Sequence, residues 1–257
     1  MMESKFNAPL KTALLIIGSG PIEYVTYETL RELTDLRCVV FSRKPQKASK
    51  WQRFTEYGLW YSTQFVISKI YHALFQSKIC PTTDTPQINR QIWQSKSDQE
   101  KICRHLQELQ VDVVFICGFH HILRRTFFEQ FSYCINIHPS LLPSYRGPEP
   151  IIWGLLDRAK SFGITLHEVD EGIDTGDIVA QSEIRPPKLR LAIHVAMQLS
   201  LELPALLRQT IGQMESGELS AQRQSGGFYL PAPLLTNRRQ RQLGILPVSE
   251  SFNPHSI

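Results

Sequence analysis

The stretch Ala13-Leu14-Leu15-Ile16-Ile17-Gly18-Ser19-Gly20-Pro21 joins a short continuous apolar run to a glycine-rich break. An apolar run without alternation fits a strand buried on both faces. Pro21 fits the first turn of a helix, where its missing N–H costs nothing, and the helix runs to about Leu33. Arg37–Phe41, with Cys38-Val39-Val40 at its centre, reads as a second strand. Strand, glycine turn, helix, strand is the opening of an α/β fold. It predicts a Rossmann-like, doubly wound, mostly parallel sheet flanked by helices. A dinucleotide fingerprint wants G-x-G-x-x-G, and Glu23 stands where the third glycine belongs. That argues against an NAD-dependent dehydrogenase or a nucleotide module.

The pattern continues outward. Ser97–Leu109 predicts a helix, Val111–Cys117 a buried strand, and Tyr133–Ile137 a strand running into His138-Pro139. Pro148–Leu156 predicts a helix, Gly163–Val169 and Ile178–Ile184 strands, and Lys188–Ser216 a long helix stopped by Gly217. Pro81–Asn89 reads as a loop. Trp51–Phe75 is aromatic-rich, with Leu59, Val66, Ile70 and Leu74 at helical spacing. A helix packed on the core is the plain reading, and an acceptor-binding or membrane-surface helix the sharper one. Residues 1–11 read as a flexible leader, 12–235 as one folded domain, and 236–257 as a basic, disordered tail.

Composition bounds the function. The 257 residues carry 28 Lys+Arg against 24 Asp+Glu, a net charge of +4, with 42% hydrophobic and 20% charged residues. This is a globular composition able to bury a sizeable core. No stretch approaches the roughly 18–20 apolar residues of a membrane span, and Leu14–Ile17 is too short for a signal-peptide core. The expectation is a cytoplasmic protein. Cys38, Cys80, Cys103, Cys117 and Cys134 are scattered and form no C-x-x-C pair, so they read as reduced core thiols. Basic residues cluster in Arg37–Arg53 and in Arg238-Arg239-Gln240-Arg241, which reads first as solvated surface.

Asn136 and His138 sit two apart at the end of a predicted strand, so both project from one face. A lone histidine is more often structural than catalytic, but an asparagine beside it adds a donor aimed at the same volume. Asp170-Glu171-Gly172-Ile173-Asp174-Thr175-Gly176-Asp177 is an acidic, glycine-punctuated turn between two strands. It lacks the alternating ligands and terminal glutamate of a calcium loop, so no metal is expected.

Taken together these segments are specific. Asn136-Ile137-His138-Pro139-Ser140-Leu141-Leu142-Pro143, Tyr145-Arg146-Gly147, Pro150, Trp153, Gly163-Ile164-Thr165-Leu166-His167 and Asp170–Ile178 resemble the folate-dependent formyltransferase family. That family includes methionyl-tRNA, glycinamide-ribonucleotide and sugar-nucleotide N-formyltransferases. The strong resemblance covers roughly Asp112–Ile184 and only the general pattern extends N-terminal to it.

The resemblance implies a catalytic domain over 12–235 and a catalytic set of Asn136, His138 and Asp174. A primary amine would attack the formyl carbon of 10-formyltetrahydrofolate, with Asn136 and protonated His138 donating to the oxyanion and Asp174 holding the histidine charged. The resemblance places the formyl-folate against Gly118, Phe119, His120, His121, Ile122 and Leu123. Ser140, Leu141, Leu142 and Pro143, together with Asp170, Glu171, Gly172 and Ile173, complete that expected site. It implies no metal.

Departures narrow the acceptor. Glu23 puts an acid where glycinamide-ribonucleotide enzymes cradle a phosphate. The stretch after Asp177, with its long helix, is expected not to hold the C-terminal barrel usual in methionyl-tRNA enzymes. The expected acceptor is a small amine, an amino sugar on a nucleotide, with Trp51, Tyr57, Trp60 and Tyr61 as stacking surface. Aminoacyl-tRNA, held by the two basic clusters, is the alternative.

Overall fold

The computed structural model describes residues 9–234 except 19, 43–57, 60–61, 65, 68–69, 71–88 and 96. Seven strands form one sheet: β1 (Lys11–Ile16), β2 (Asp35–Ser42), β3 (Asn89–Trp93), β4 (Val113–Cys117), β5 (Tyr133–His138), β6 (Phe162–Glu168) and β7 (Ile178–Ile184). Their order is β3-β2-β1-β4-β5-β6-β7. β1 to β5 run parallel, whereas β6 and β7 are antiparallel to their neighbours. This is the mostly parallel, doubly wound sheet that the strand–glycine–helix opening predicts.

Alternation along each strand divides the interior in two. Leu14, Ile16, Phe115, Ile135 and Ile137 meet helices α1 (Pro21–Leu33) and α5 (Ala192–Ser216) on one face. Ala13, Leu15, Val114, Ile116 and Cys134 meet α2 (Asp98–Glu108) and the short α3 (Arg125–Phe128) on the other. Strands buried on both faces carry little polar alternation, which is why β1 and β4 read as apolar runs. Leu203 of α5 is fully buried in the first layer. Leu203→Ala is expected to cost about 2–5 kcal/mol of stability, read from the urea midpoint, through lost transfer energy and the cavity left behind.

Some expectations shift. Leu10 is fully buried and β1 begins at Lys11, so the end of the stretch read as leader belongs to the fold. The long helix starts at Ala192 instead of Lys188, with Leu191 before it in extended backbone (φ −108°, ψ 142°). β3 carries no hydrophobic signal because it is an edge strand whose Asn89, Arg90 and Ile92 are exposed. Within Trp51–Phe75 the described residues are helical, but Leu59, Val66 and Ile70 are exposed, correcting the expectation that they pack on the core. Gln64 makes the contact instead, accepting the Ala192 N–H at 3.1 Å. Trp51, Tyr57, Trp60, Tyr61 and residues 236–257 lie outside the described residues. Cys38, Cys103, Cys117 and Cys134 are buried free thiols, and burial pushes Cys38 up to about 12. No helix among the described residues is long and apolar enough to cross a membrane.

Candidate active site

Strand order reverses between β1 and β4, and open α/β sheets place ligands beyond the carboxyl ends at such a point. A cavity of about 510 Å³ lies there, touching Ile17 after β1, Gly118 after β4 and His138 at the end of β5. α4 (Pro150–Leu156) contributes Pro150 and Ile151 to its wall.

Asn136 and His138 share one face of β5, and the 170–177 turn brings Asp174 against both. Asn136 Nδ2 donates to Asp174 Oδ1 at 3.1 Å and to His167 Nε2 at 3.0 Å. His167 Nδ1 faces the Glu168 carbonyl at 2.7 Å, which orients the ring with Nε2 toward Asn136. His138 Nδ1 lies 3.5 Å from Asp174 Oδ2, while Nε2 donates to the Tyr145 carbonyl at 3.0 Å. Gly147 N–H donates to Asp174 Oδ2 at 2.8 Å. Gly147 has φ +100°, and a side chain there would run into Tyr229 and the Leu230 carbonyl, so this close donor needs glycine. Tyr145, Glu149 and Asp174 all hold left-handed backbone. Such conformations cost about 1–3 kcal/mol each in non-glycine residues and gather where surrounding structure fixes a site.

Electrostatics sharpen the roles. Burial works to raise the Asp174 pKa, but His138, His167 and the Gly147 N–H overcome it and hold the carboxyl well below its usual range. Burial lowers the His138 pKa; Asp174 opposes this, while His167 adds to the lowering. The pull of Asp174 on His138 has the sign expected of a group that holds the histidine charged, and burial opposes it. Glu23 lies on the cavity wall with its pKa raised by burial and by Glu149.

The cavity brings together Gly118, Phe119, His120, His121, Ile122 and Leu123 with Asn136, His138, Asp170, Gly172, Ile173 and Asp174. Glu171 is exposed and outside the lining. Ser140, Leu141, Leu142 and Pro143 do not line it either. They brace the loop: Ser140 Oγ donates to the Ser144 carbonyl at 2.7 Å, and Leu142 N–H donates to Thr165 Oγ1 at 3.2 Å. The Leu142–Pro143 peptide is cis. Asp170 shapes the turn, accepting from Gly172 N–H and Thr175 Oγ1 at 3.0 and 2.7 Å. Nothing in the sequence alone gives His167 a role. It stands opposite Asn136 in the antiparallel β5–β6 register, a pairing visible only once that register is known.

The family model for formyl transferase matches residues 37–186, more than half of the chain and further N-terminal than the motifs alone reach. The chain belongs to the formyl transferase family. Members of this family are enzymes that use formyltetrahydrofolate. A methionyl-tRNA formyltransferase from Agathobacter rectalis is 34% identical over 114 residues, 44% of this chain and 37% of that one. The chain thus aligns with less than half the length of this relative. Glycinamide ribonucleotide transformylase 1 from Symbiobacterium toebii shares the fold with a TM-score of 0.60 at 18% identity, covering 86% of this chain and 96% of that one. A sugar N-formyltransferase from Shewanella sp FDAARGOS_354 does so with a TM-score of 0.57 at 18% identity, covering 86% and 77%.

The formyl transferase cavity has walls suited to a flat heteroaromatic ring. Ile116, Ile122, Leu123 and Val169 supply apolar surface, and His121 Nε2 is buried without a hydrogen-bond partner among the described residues. No group of three or more His, Cys, Asp or Glu side chains among them is arranged to hold a metal.

Proposed function

We propose that this chain transfers a formyl group from 10-formyltetrahydrofolate to a primary amine, with a nucleotide-linked amino sugar as the acceptor class. The observation that carries this reading is the convergence of Asn136, His138 and Asp174 at the cavity. Bound 10-formyltetrahydrofolate supplies the formyl carbon; Gly118 to Leu123 and the 170–174 turn would hold it. Neutral His138 keeps its Nε2 proton on the Tyr145 carbonyl, leaving Nδ1 to accept a proton from the attacking amine. Asp174, 3.5 Å away, then stabilises the imidazolium, which returns the proton to the departing nitrogen. Such proton transfer contributes about 10²–10⁴-fold. Asn136 Nδ2 donates to the oxygen gaining charge, exchanging one of its present acceptors for it; one such donor contributes about 10²–10³-fold.

Glu23 and Glu149, both on the cavity wall, support a neutral or cationic amine over one bearing a phosphate at that point, where it would meet two acidic side chains. Saturating 10-formyltetrahydrofolate, at 100 times its Kd, is expected to stabilise the protein by about 2.7 kcal/mol in thermal melts, and NAD not at all. An acceptor screen scored by product mass, including amino-sugar nucleotides and methionyl-tRNA, tests the rest. The identity to methionyl-tRNA formyltransferases favours a second reading, an aminoacyl-tRNA acceptor. Formylation of methionyl-tRNA alone, with a steep salt dependence of its binding, would replace the amino-sugar reading by that one.

A further inference from the structure

The segment that follows α5 lies outside the residues matched to the family, yet it is bound to both loops of the site. Gln222 and Ile178 exchange backbone hydrogen bonds at 2.7 and 2.8 Å, and Leu230 N–H donates to the Arg146 carbonyl at 2.8 Å. Between these anchors, Gln224 Nε2 donates to the Asp174 carbonyl at 3.0 Å and to the Gly176 carbonyl at 2.6 Å. Its Oε1 accepts from Arg146 Nε at 3.1 Å and Nη2 at 2.7 Å. The amide orientation is fixed by chemistry: a guanidinium only donates and a carbonyl only accepts, so a flipped amide would lose all four bonds.

The residue so held is Asp174, whose φ of +54° lies in the left-handed region, less favoured than right-handed backbone for a residue with a side chain. Gly147 and Asn136 grip its carboxylate. Gln224 grips the backbone on which that carboxylate is mounted. We infer that Gln224, backed by Arg146, is a positioning residue for formyl transfer: it fixes the turn that presents the Asp174 carboxylate to His138. This rests on the proposed function for its kinetic consequence, but not for its geometric one. Anchoring of the C-terminal segment is already supplied on both sides of Gln224, at Gln222 and Leu230. The titratable groups acting on His138 are Asp174 from the turn and His167 from β6, with the Tyr145 carbonyl on its far nitrogen.

The test uses the full chain with Gln224→Met, Gln224→Glu and, as a control, Arg223→Ala in the neighbouring residue. Methionine removes all four bonds at similar size. Glutamate keeps an acceptor for Arg146 but has no donor for the Asp174 and Gly176 carbonyls, so it separates positioning of the turn from pairing with Arg146. The first readout is the NMR titration of His138 in the substrate-free protein. Asp174 raises the His138 midpoint, so Gln224→Met is expected to lower it by about half a unit or more. The second is turnover with 10-formyltetrahydrofolate and, in parallel, a nucleotide-linked amino sugar and methionyl-tRNA. Both Gln224 variants are expected to lose about 10–100-fold in kcat with KM for the folate changed less than about threefold, while Arg223→Ala stays near wild type. An unmoved His138 midpoint in Gln224→Met overturns the inference. So does kcat within about threefold of wild type in Gln224→Glu. A wild-type protein that transfers formyl to neither acceptor would overturn the functional reading alone, and the titration would still decide the role of Gln224.

Discussion

His138→Ala is expected to slow formyl transfer by about 10²–10⁴-fold while leaving the affinity for 10-formyltetrahydrofolate nearly unchanged. The side chain sits at the end of β5 with one nitrogen on the Tyr145 carbonyl and the other toward Asp174. Its work under the proposed mechanism is proton traffic during addition and departure, which ground-state binding does not draw on. The residues from Gly118 to Leu123, which the proposal assigns to the folate, line the cavity from a different loop. Turnover close to wild type in purified, folded His138→Ala would remove His138 from the mechanism. Equilibrium binding of the folate and single-turnover rates separate the two effects.

Asp174→Asn is expected to lose a comparable factor, about 10²–10⁴, by removing the countercharge for the imidazolium. It also changes the response to pH, and the signs follow from the native-state shifts. The carboxyl is held below its ordinary range, so its contribution to stability is complete above about pH 4 and is lost as pH falls through the lowered native value. In the asparagine variant that contribution is absent at neutral pH as well. His138 behaves in the opposite sense. Its pKa is lowered by burial, so the unfolded chain binds a proton that the native protein refuses between the lowered value and about 6.5. Stability therefore declines as pH falls through that window and levels off below it. Removing Asp174 takes away the group that opposes desolvation, which lowers the His138 midpoint further and extends the window downward. Urea midpoints between about pH 4 and 8, for wild type and Asp174→Asn, check the sign for His138, and midpoints taken below about pH 4 check the sign for Asp174. A pH-independent difference between the two proteins would contradict them.

The first apolar run, the glycine break and Pro21 determined the doubly wound sheet because each element obeys a local rule: continuous burial for β1, a free N–H position for the proline of α1. Asn136 and His138 were legible for the same reason, since a period of two puts both on one face whatever surrounds them. The 170–177 turn was legible as a turn, and the resemblance of its neighbours singled out Asp174. What the linear order could not supply was contact between distant segments. His167 joins the site through the antiparallel register of β5 and β6, 31 residues apart in sequence from Asn136. Gln224 reaches Asp174 across 50 residues, after a helix that continues through Pro204 because Leu199, Leu203 and Leu207 are buried on either side of it. The electrostatics of His138 likewise depend on tertiary structure. Sequence put a carboxylate near it, and only the depth at which both lie sets the cost of burial against their attraction.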